Sequence, residues 1–360
     1  MYRILLAFIG LAVFILPVVA QQPTVAPPPV VPAPAMVSKI VFGSCFKVQG
    51  PHDIWDAIGE ENPDLTILLG DNIYGDTEDM GVLAGKYAKL GAVRGYAALR
   101  ERCMVLATWD DHDYGRNDAG AEFPKKAESQ RIFLDFFGEP RESERRRTPG
   151  VYNAKVFGPE GRRVQVILLD TRTSRSPLKH KTQHPTTGAG RPGTYAPNDD
   201  RAATILGETQ WTWLEEQLQV PADVRIIATS IQFVAEDHGY EKWANFPRER
   251  QRMLDLLRDT RARGVVFISG DRHSAELSVQ RTSVVGYPMH DITSSSLNSP
   301  RTWTNEINRH RVGTPFFDAN YGVIEVQWDA PEPALSLIVR DSYGATMIRH
   351  DLPIATLRPR

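Results

Sequence analysis

Six short runs in this chain are almost continuously apolar and rich in β-branched residues: Lys39–Gly43, Leu65–Leu69, Met104–Thr108, Val164–Leu169, Val224–Thr229 and Val265–Ser269. Each is too short for a helix and lacks the polar alternation of a strand with one wet face. Such runs fit strands covered on both sides. Helical stretches lie between them. Pro247 suits a first helical turn, Met253, Leu254 and Leu257 form one apolar stripe, and Gly264 ends the element. Gly207–Leu218 carries Trp211, Leu214 and Leu218 at helical spacing, and Phe133, Phe136 and Phe137 precede a stop at Gly138. These aromatic stripes are read as core. Glu276–Arg281, Val323–Trp328 and Leu335–Val339 alternate more and are expected as edge or antiparallel strands. Strands alternating with helices predict an α/β fold. No internal repeat is visible.

The chain has 360 residues, 41% of them hydrophobic and 24% charged, enough for a sizeable core. Its formal net charge of −2 excludes a general polyanion binder, so no nucleic-acid-binding surface is expected. The run Arg145-Arg146-Arg147 has Glu142 and Glu144 beside it and reads as a solvated loop. At the N-terminus, Arg3 precedes an apolar stretch from Ile4 to Val19, with small residues before Gln21. That pattern describes a secretory signal peptide, residues 1–20, cleaved after Ala20. The alternative is an uncleaved anchor, for which the apolar length is marginal. Cleavage would place the protein outside the cell or in the periplasm with no stable membrane span. Residues 21–36 hold six prolines and no charge, a polyproline-type spacer. One domain is expected over 37–360. Residues 172–200 are rich in Ser, Thr, Pro, Gly and Lys without periodicity, a loop long enough to cover an active site or to be disordered.

The apolar runs end in chemistry. Val41–Ser44 leads to Cys45; Ile67–Gly70 leads to Asp71, Asn72, Tyr74 and Asp76; Val105–Trp109 leads to Asp110, Asp111, His112 and Asp113; Val266–Gly270 leads to Asp271 and His273. Ligand sites of α/β folds lie outside the carboxyl ends of the strands. If these strands share one sheet, all four groups converge on one cleft. A lone strand-end Asp is often only a helix cap, but four such ends together make a cluster whose carboxylates repel by kcal/mol amounts. Bound cations would neutralise it, with Asp71 the natural bridge between two ions.

Phe42–Cys45 (FGSC), Leu68–Asp76 (LLGDNIYGD), Thr108–Asp118 (TWDDHDYGRND) and Ser269–His273 (SGDRH) resemble the PhoD-type alkaline phosphatase/phosphodiesterase family of calcineurin-like metallophosphoesterases. The resemblance runs from about residue 40 to 340, with LGETQWTWLEEQL (206–218) and Lys242–Leu254 as lesser matches. It implies a four-layer αββα sandwich of two mixed β-sheets flanked by helices. It further implies Cys45, Asp71, Tyr74, Asp111, Asp271 and His273 as metal ligands, Cys45 replacing the Asp-x-His pair that opens the site in ordinary calcineurin-like enzymes. Thiolate, phenolate, carboxylate and imidazole suit Fe³⁺, and a neighbouring all-oxygen site suits Ca²⁺ or another divalent ion. The N-terminal β-sandwich of longer relatives is expected to be absent, the proline spacer standing in its place.

Other readings stay open beside these. Cys45 and Cys103 could form a disulfide in an oxidising compartment, Cys45 could attack phosphorus itself, and Tyr74 could merely pack. Asn117 is either a metal ligand or a phosphate contact. Asp71, Asp111, His112 and Asn117 are the candidate catalytic residues, and Arg116, Asn117, Asp118 and Arg172 the candidate phosphate contacts. Arg172 could equally pair with Asp170 or another acid. The expected activity is hydrolysis of phosphodiesters, phosphomonoesters or both by metal-activated water. The alternatives are a non-catalytic, Ca²⁺-stabilised module that binds phosphate ligands, or a nucleotide-specific hydrolase.

Overall fold

The computed structural model describes residues 31–181, 193–301 and 306–359. The signal peptide and the first part of the proline spacer therefore lie outside the described residues, as does 182–192 of the long loop. The chain opens with strand β1 (Lys39–Gly43), helix α1 (Ile54–Glu60) and β2 (Leu65–Leu69). Two helices, α2 (Met80–Gly91) and α3 (Arg94–Arg102), lead to β3 (Met104–Thr108), followed by the short α4 (Asp111–Tyr114) and by α5 (Lys126–Phe136). Then come β4 (Asn153–Phe157), β5 (Val164–Leu168), a small ribbon of β6 (Lys179–His180) and β7 (Tyr195–Ala196), and α6 (Gly207–Gln219). β8 (Val224–Ala228), α7 (Pro247–Asp259), β9 (Val265–Ser269), β10 (Ala275–Gln280) and β11 (Met289–Ser294) follow. The end of the chain is β12 (Arg311–Phe316), β13 (Asn320–Gln327), β14 (Ala334–Asp341) and β15 (Thr346–Pro353).

These strands form two mixed sheets, one in the order β15-β14-β13-β1-β2-β3 and the other β12-β10-β11-β9-β8-β5-β4. The two mixed sheets are as the resemblance implied, and the acid-bearing strands are divided between them, so the condition of one shared sheet is not met: β1, β2 and β3 run parallel in the first, and β9 lies in the second. The alternation of side chains along a strand explains why the runs are apolar throughout. Ile40, Phe42, Leu65, Ile67 and Leu69 point into the core between the sheets, and Val41, Leu68 and Ala107 point the other way. On that outer face they meet Trp55 of α1, Tyr87 of α2, Leu99 of α3 and Phe133 of α5. Trp211 and Leu214 of α6 and Met253 and Leu257 of α7 cover the second sheet. Each such side chain contributes roughly 1.5–3 kcal/mol by leaving water. The result is the four-layer αββα sandwich.

The sheets are held together at the end where the active strands finish. Thr108 donates through Oγ1 to the Leu169 carbonyl at 2.7 Å, and the Leu297 amide donates to the Ser44 carbonyl at 2.9 Å. Convergence thus comes from stacking. The carboxyl ends of β1, β2 and β3 meet those of β9 and β11 across the gap between layers. No helix among the described residues is long and apolar enough to cross a membrane.

Candidate metal centre

The loops that leave β1 and β2 are stitched to each other. The Phe46 amide donates to the Asp71 carbonyl at 2.9 Å and the Cys45 amide to the Gly70 carbonyl at 3.4 Å. Gly70 has φ +104°, and a Cβ there would stand 2.4 Å from the Asp110 nitrogen, so only glycine lets the turns after β2 and β3 touch. Cys45, Asp71, Asp118, Asp271 and His273 all occupy the left-handed region, with φ between 49° and 66°. Strained conformations of this kind cluster at functional sites, where surrounding contacts hold them.

Those turns aim the side chains at one another. Ligand atoms of Cys45, Asp71 and His273 lie within 4.8 Å of one another, and the same holds for Asp71, Asp111 and His112 and for Asp110, Asp111 and Asp271. Asp71 belongs to two of these groups. The Cys45 thiol is 3.4 Å from Asp71 Oδ2 and 3.3 Å from Ser295 Oγ, and Ser295 Oγ also accepts from the His273 amide at 2.9 Å. The Tyr74 hydroxyl is 3.4 Å from His273 Nε2. His273 Nδ1 bonds the Ser299 carbonyl, which fixes that nitrogen as donor and leaves Nε2 facing the cluster. Both cysteines are free thiols, Cys103 lying by Thr66 Oγ1 on β2, so the disulfide reading fails.

Burial dominates the electrostatics. It pushes the Cys45 thiol well above its usual range, with the Asp71 charge adding to it, and it pushes the Asp71 carboxyl well above its own, with the Asp111 charge adding to it. Burial likewise raises Asp271 to about 6 and Asp113 to about 7. Asp111 is the exception: burial raises it, but Arg172 and His112 and the Asp118 amide bring it down to about 2. Burial and the Arg301 charge lower His273 to about 3, so its ring is neutral at pH 7, the form that binds metals. Burial opposes the charge on His112, but Asp111 and the 2.7 Å bond from Nδ1 to Asp76 Oδ1 raise it to about 10. Acids forced toward the neutral form by one another are a cluster short of positive charge. Asp71 Oδ1, buried and without a hydrogen-bond partner among the described residues, marks where that charge is missing. A thiol, a phenol, neutral imidazole and carboxylate oxygens are a donor set that fits metal ions.

The candidate phosphate contacts fall in different places. Asp118 gives its amide to Asp111 Oδ2 at 2.7 Å, and its carboxylate accepts from Asn117 Nδ2 at 2.7 Å and from the Tyr195 hydroxyl at 2.5 Å. Asn117 therefore adjoins the cluster through Asp118, and β7 ties the long loop to it. Arg116 is exposed and pairs with Glu78. Arg172 departs from a phosphate role: it is fully buried behind the cluster, with Nε 2.5 Å from Asp110 Oδ1 and Nη1 2.6 Å from Glu241 Oε2. Its pairing acids are these, with Asp170 instead accepting the Arg172 amide. Asp113, Ser295 and Tyr195 were not singled out as site residues from the sequence. Asp113 receives the amides of Asp71, Asn72 and Asp110 and so holds two turns at once. Its place three residues after Asp110, as the far half of a capping box, was the available signal.

The PhoD-like phosphatase family model matches residues 84–320 of this chain.

The chain belongs to the PhoD-like phosphatase family.

Asp111, Asp271 and His273 lie within the matched span, and Cys45, Asp71 and Tyr74 ahead of it. The alkaline phosphatase D of Bacillus subtilis (strain 168) is 24% identical over 272 residues, covering 65% of this chain and 45% of its own length. The chain thus spans less than half of that relative. The solved structure of PhoD superposes with a TM-score of 0.64 at 17% identity, over 88% of this chain and 73% of its own. GAP50, the anchor in the inner membrane complex of Plasmodium, gives 0.54 at 13% identity over 88% and 89% of the two chains. A dimetal phosphatase from Danio rerio gives 0.50 at 13% identity over 89% and 99%. One fold serves an anchor and phosphatases alike, so activity has to be argued from the site.

Proposed function

We propose that this PhoD-like chain is a secreted, metal-dependent phosphoesterase that hydrolyses phosphodiesters, phosphomonoesters or both. The observation that carries the reading is Asp71: buried, shared by two ligand groups, and with one carboxylate oxygen left without a hydrogen-bond partner among the described residues. Cys45, Asp71, Tyr74 and His273 would hold one ion, for which thiolate and phenolate favour Fe³⁺. Asp71, Asp111 and Asp271 would hold a second through oxygen, as suits Ca²⁺ or another divalent ion. When bound, such ions supply positive charge to the phosphoryl oxygens and make a water molecule acidic enough to act as nucleophile.

The chain's own groups supply the rest. His112, oriented by Asp76 through Nδ1, would give a proton from Nε2 to the leaving oxygen when its ring is charged. Asn117, steered by Asp118, can donate an amide hydrogen to a phosphoryl oxygen. The Cys45 thiol, wedged against Asp71 and Ser295, favours a ligand over a nucleophile. The leader read over residues 1–20 supports export, with the domain proposed over 37–360 following its proline spacer.

Metal content and a visible spectrum of the purified protein, with turnover of p-nitrophenyl phosphate and bis-p-nitrophenyl phosphate, test the reading. Iron with a phenolate charge-transfer band, turnover of either ester and its loss to chelator are expected. Cys45→Ser should lose iron and most activity while the fold persists by circular dichroism. A fully metallated protein that turns over neither ester would instead be a binding module.

A further inference from the structure

Beside the metal centre, three cations gather on one turn, Gly239-Tyr240-Glu241-Lys242. A Cβ placed on Gly239 would stand 2.7 Å from Lys181 Nζ, so that ammonium rests against the glycine. Lys242 Nζ donates to the Tyr240 carbonyl at 3.2 Å. The Arg272 guanidinium lies 4.4 Å from the centre of the Tyr240 ring. Glu241, the acid within the turn, faces away: its two oxygens meet Arg172 at 2.6 Å and Arg175 at 2.9 Å. The nearby acids are taken as well, Asp237 by Arg309 and Glu306 by Arg272.

Lys242 is only 3% exposed and forms no ion pair among the described residues. The residues outside them, 1–30, 182–192, 302–305 and Arg360, include no Asp or Glu, so none of them brings a carboxylate side chain to pair with it. An ammonium withdrawn from water with no carboxylate in contact is unfavourable, and the charges of Asp237 and Glu306 reach it only from a distance. Burial, then the charges of Arg272 and Lys181, push its pKa down to about 8. The turn also borders the site. Arg272 stands between Asp271 and His273 in sequence, and Glu241 is joined to Asp110 through Arg172.

We infer that Lys242, with Lys181 and Arg272, forms an anion subsite that takes a second negatively charged group of the substrate, a phosphate or a carboxylate, beyond the phosphorus being attacked. This deepens the phosphoesterase reading and rests on it for the word substrate; the excess of cations does not. A buried lysine, a half-buried lysine and an arginine offer several N–H donors around one turn, the kind of group an anionic oxygen accepts from.

Calorimetry on the metal-loaded full chain tests it with three probes: glycerol 2-phosphate, 2-phosphoglycerate, in which a carboxylate replaces one hydroxymethyl group, and glycerol 1,2-bisphosphate, which adds a phosphate. The wild-type protein should bind at least one doubly anionic probe about tenfold tighter than glycerol 2-phosphate, on the order of one charge-assisted bond. Which of the two gains identifies the group. Lys242→Met should remove the preference and Lys242→Arg should keep it. Equal affinity of all three probes for the wild type, or a loss in Lys242→Met that is the same for each, overturns the subsite. Should Lys242→Met not fold, Lys181→Met is read in its place, and an undiminished preference there overturns it too. Preference without turnover of either nitrophenyl ester would overturn the phosphoesterase reading alone.

Discussion

Eight non-glycine residues have positive φ among the described residues, and six of them, Cys45, Asp71, Asp76, Asp118, Asp271 and His273, belong to the cluster or bond directly to it. Each such conformation costs on the order of 1–3 kcal/mol, so other contacts must hold them. Behind the cluster, Asp110, Arg172, Glu241 and Arg175 alternate in sign with no more than 1% of any side chain exposed. Arg172→Met leaves Asp110 and Glu241 short of a partner in a buried place, and should lower stability by about 3–5 kcal/mol. Urea unfolding of metal-free protein reads this, and a loss below about 1 kcal/mol would refute the ladder's structural role. The acids of the cluster were legible because each ends an apolar run. Ser295, Tyr195 and Glu241 were not, because each reaches the site from a segment distant in sequence, and Arg172's partners lie 62 and 69 residues away.

At the scale of elements, β1 and β13 show how tightly the first sheet is built. Phe42 pairs with Gly322, and a Cβ on Gly322 would sit 2.1 Å from Phe42 Cζ. The aromatic ring lies over the glycine it needs. Gly322→Val should therefore cost about 1–3 kcal/mol through overpacking. Adding Phe42→Leu should recover part of that loss, giving a favourable coupling in a double-mutant cycle; strictly additive effects would mean the ring is not the obstacle. Periodicity revealed β1, β2, β3, β5, β8 and β9 because both of their faces are buried. It missed β12, where Gly313 and Pro315 interrupt the run, and β15, whose Arg349 and Asp351 face solvent at a sheet edge. It also missed β11, whose His290, Asp291, Thr293 and Ser294 are polar yet buried: Asp291 takes the Phe233 and Val234 amides and the Ser269 hydroxyl. Helices α2 and α3 carry Gly81, Gly85, Gly91 and Gly95, which blur a helical signal.

At the scale of the molecule, the single sheet that would have gathered the acids is replaced by two, so the site depends on how firmly the layers stay stacked. One contact across them is titratable. His290 of β11 and His350 of β15 belong to different sheets, and their ring centres lie 5.4 Å apart. Burial first, and then the charge of His350, lower His290 to about 4, and its ring is only 5% exposed. The unfolded chain, with an ordinary value near 6.5, binds more protons than the folded one between pH 6.5 and 4. Stability from this ring is therefore complete above about pH 6.5 and is lost as the pH falls toward 4. The span of the shift sets an upper bound of about 3 kcal/mol. His290→Leu cannot take up that proton, so its stability should fall less than the wild type's between pH 7 and pH 4.5. Both proteins are compared by denaturant unfolding in excess chelator, so that carboxylate and metal contributions are common to both and cancel in the difference. A pH dependence unchanged by the substitution would mean that His290 can be charged without prising the sheets apart. This contact between the layers would then tolerate acid, and any acid lability would have to come from the carboxylate cluster itself.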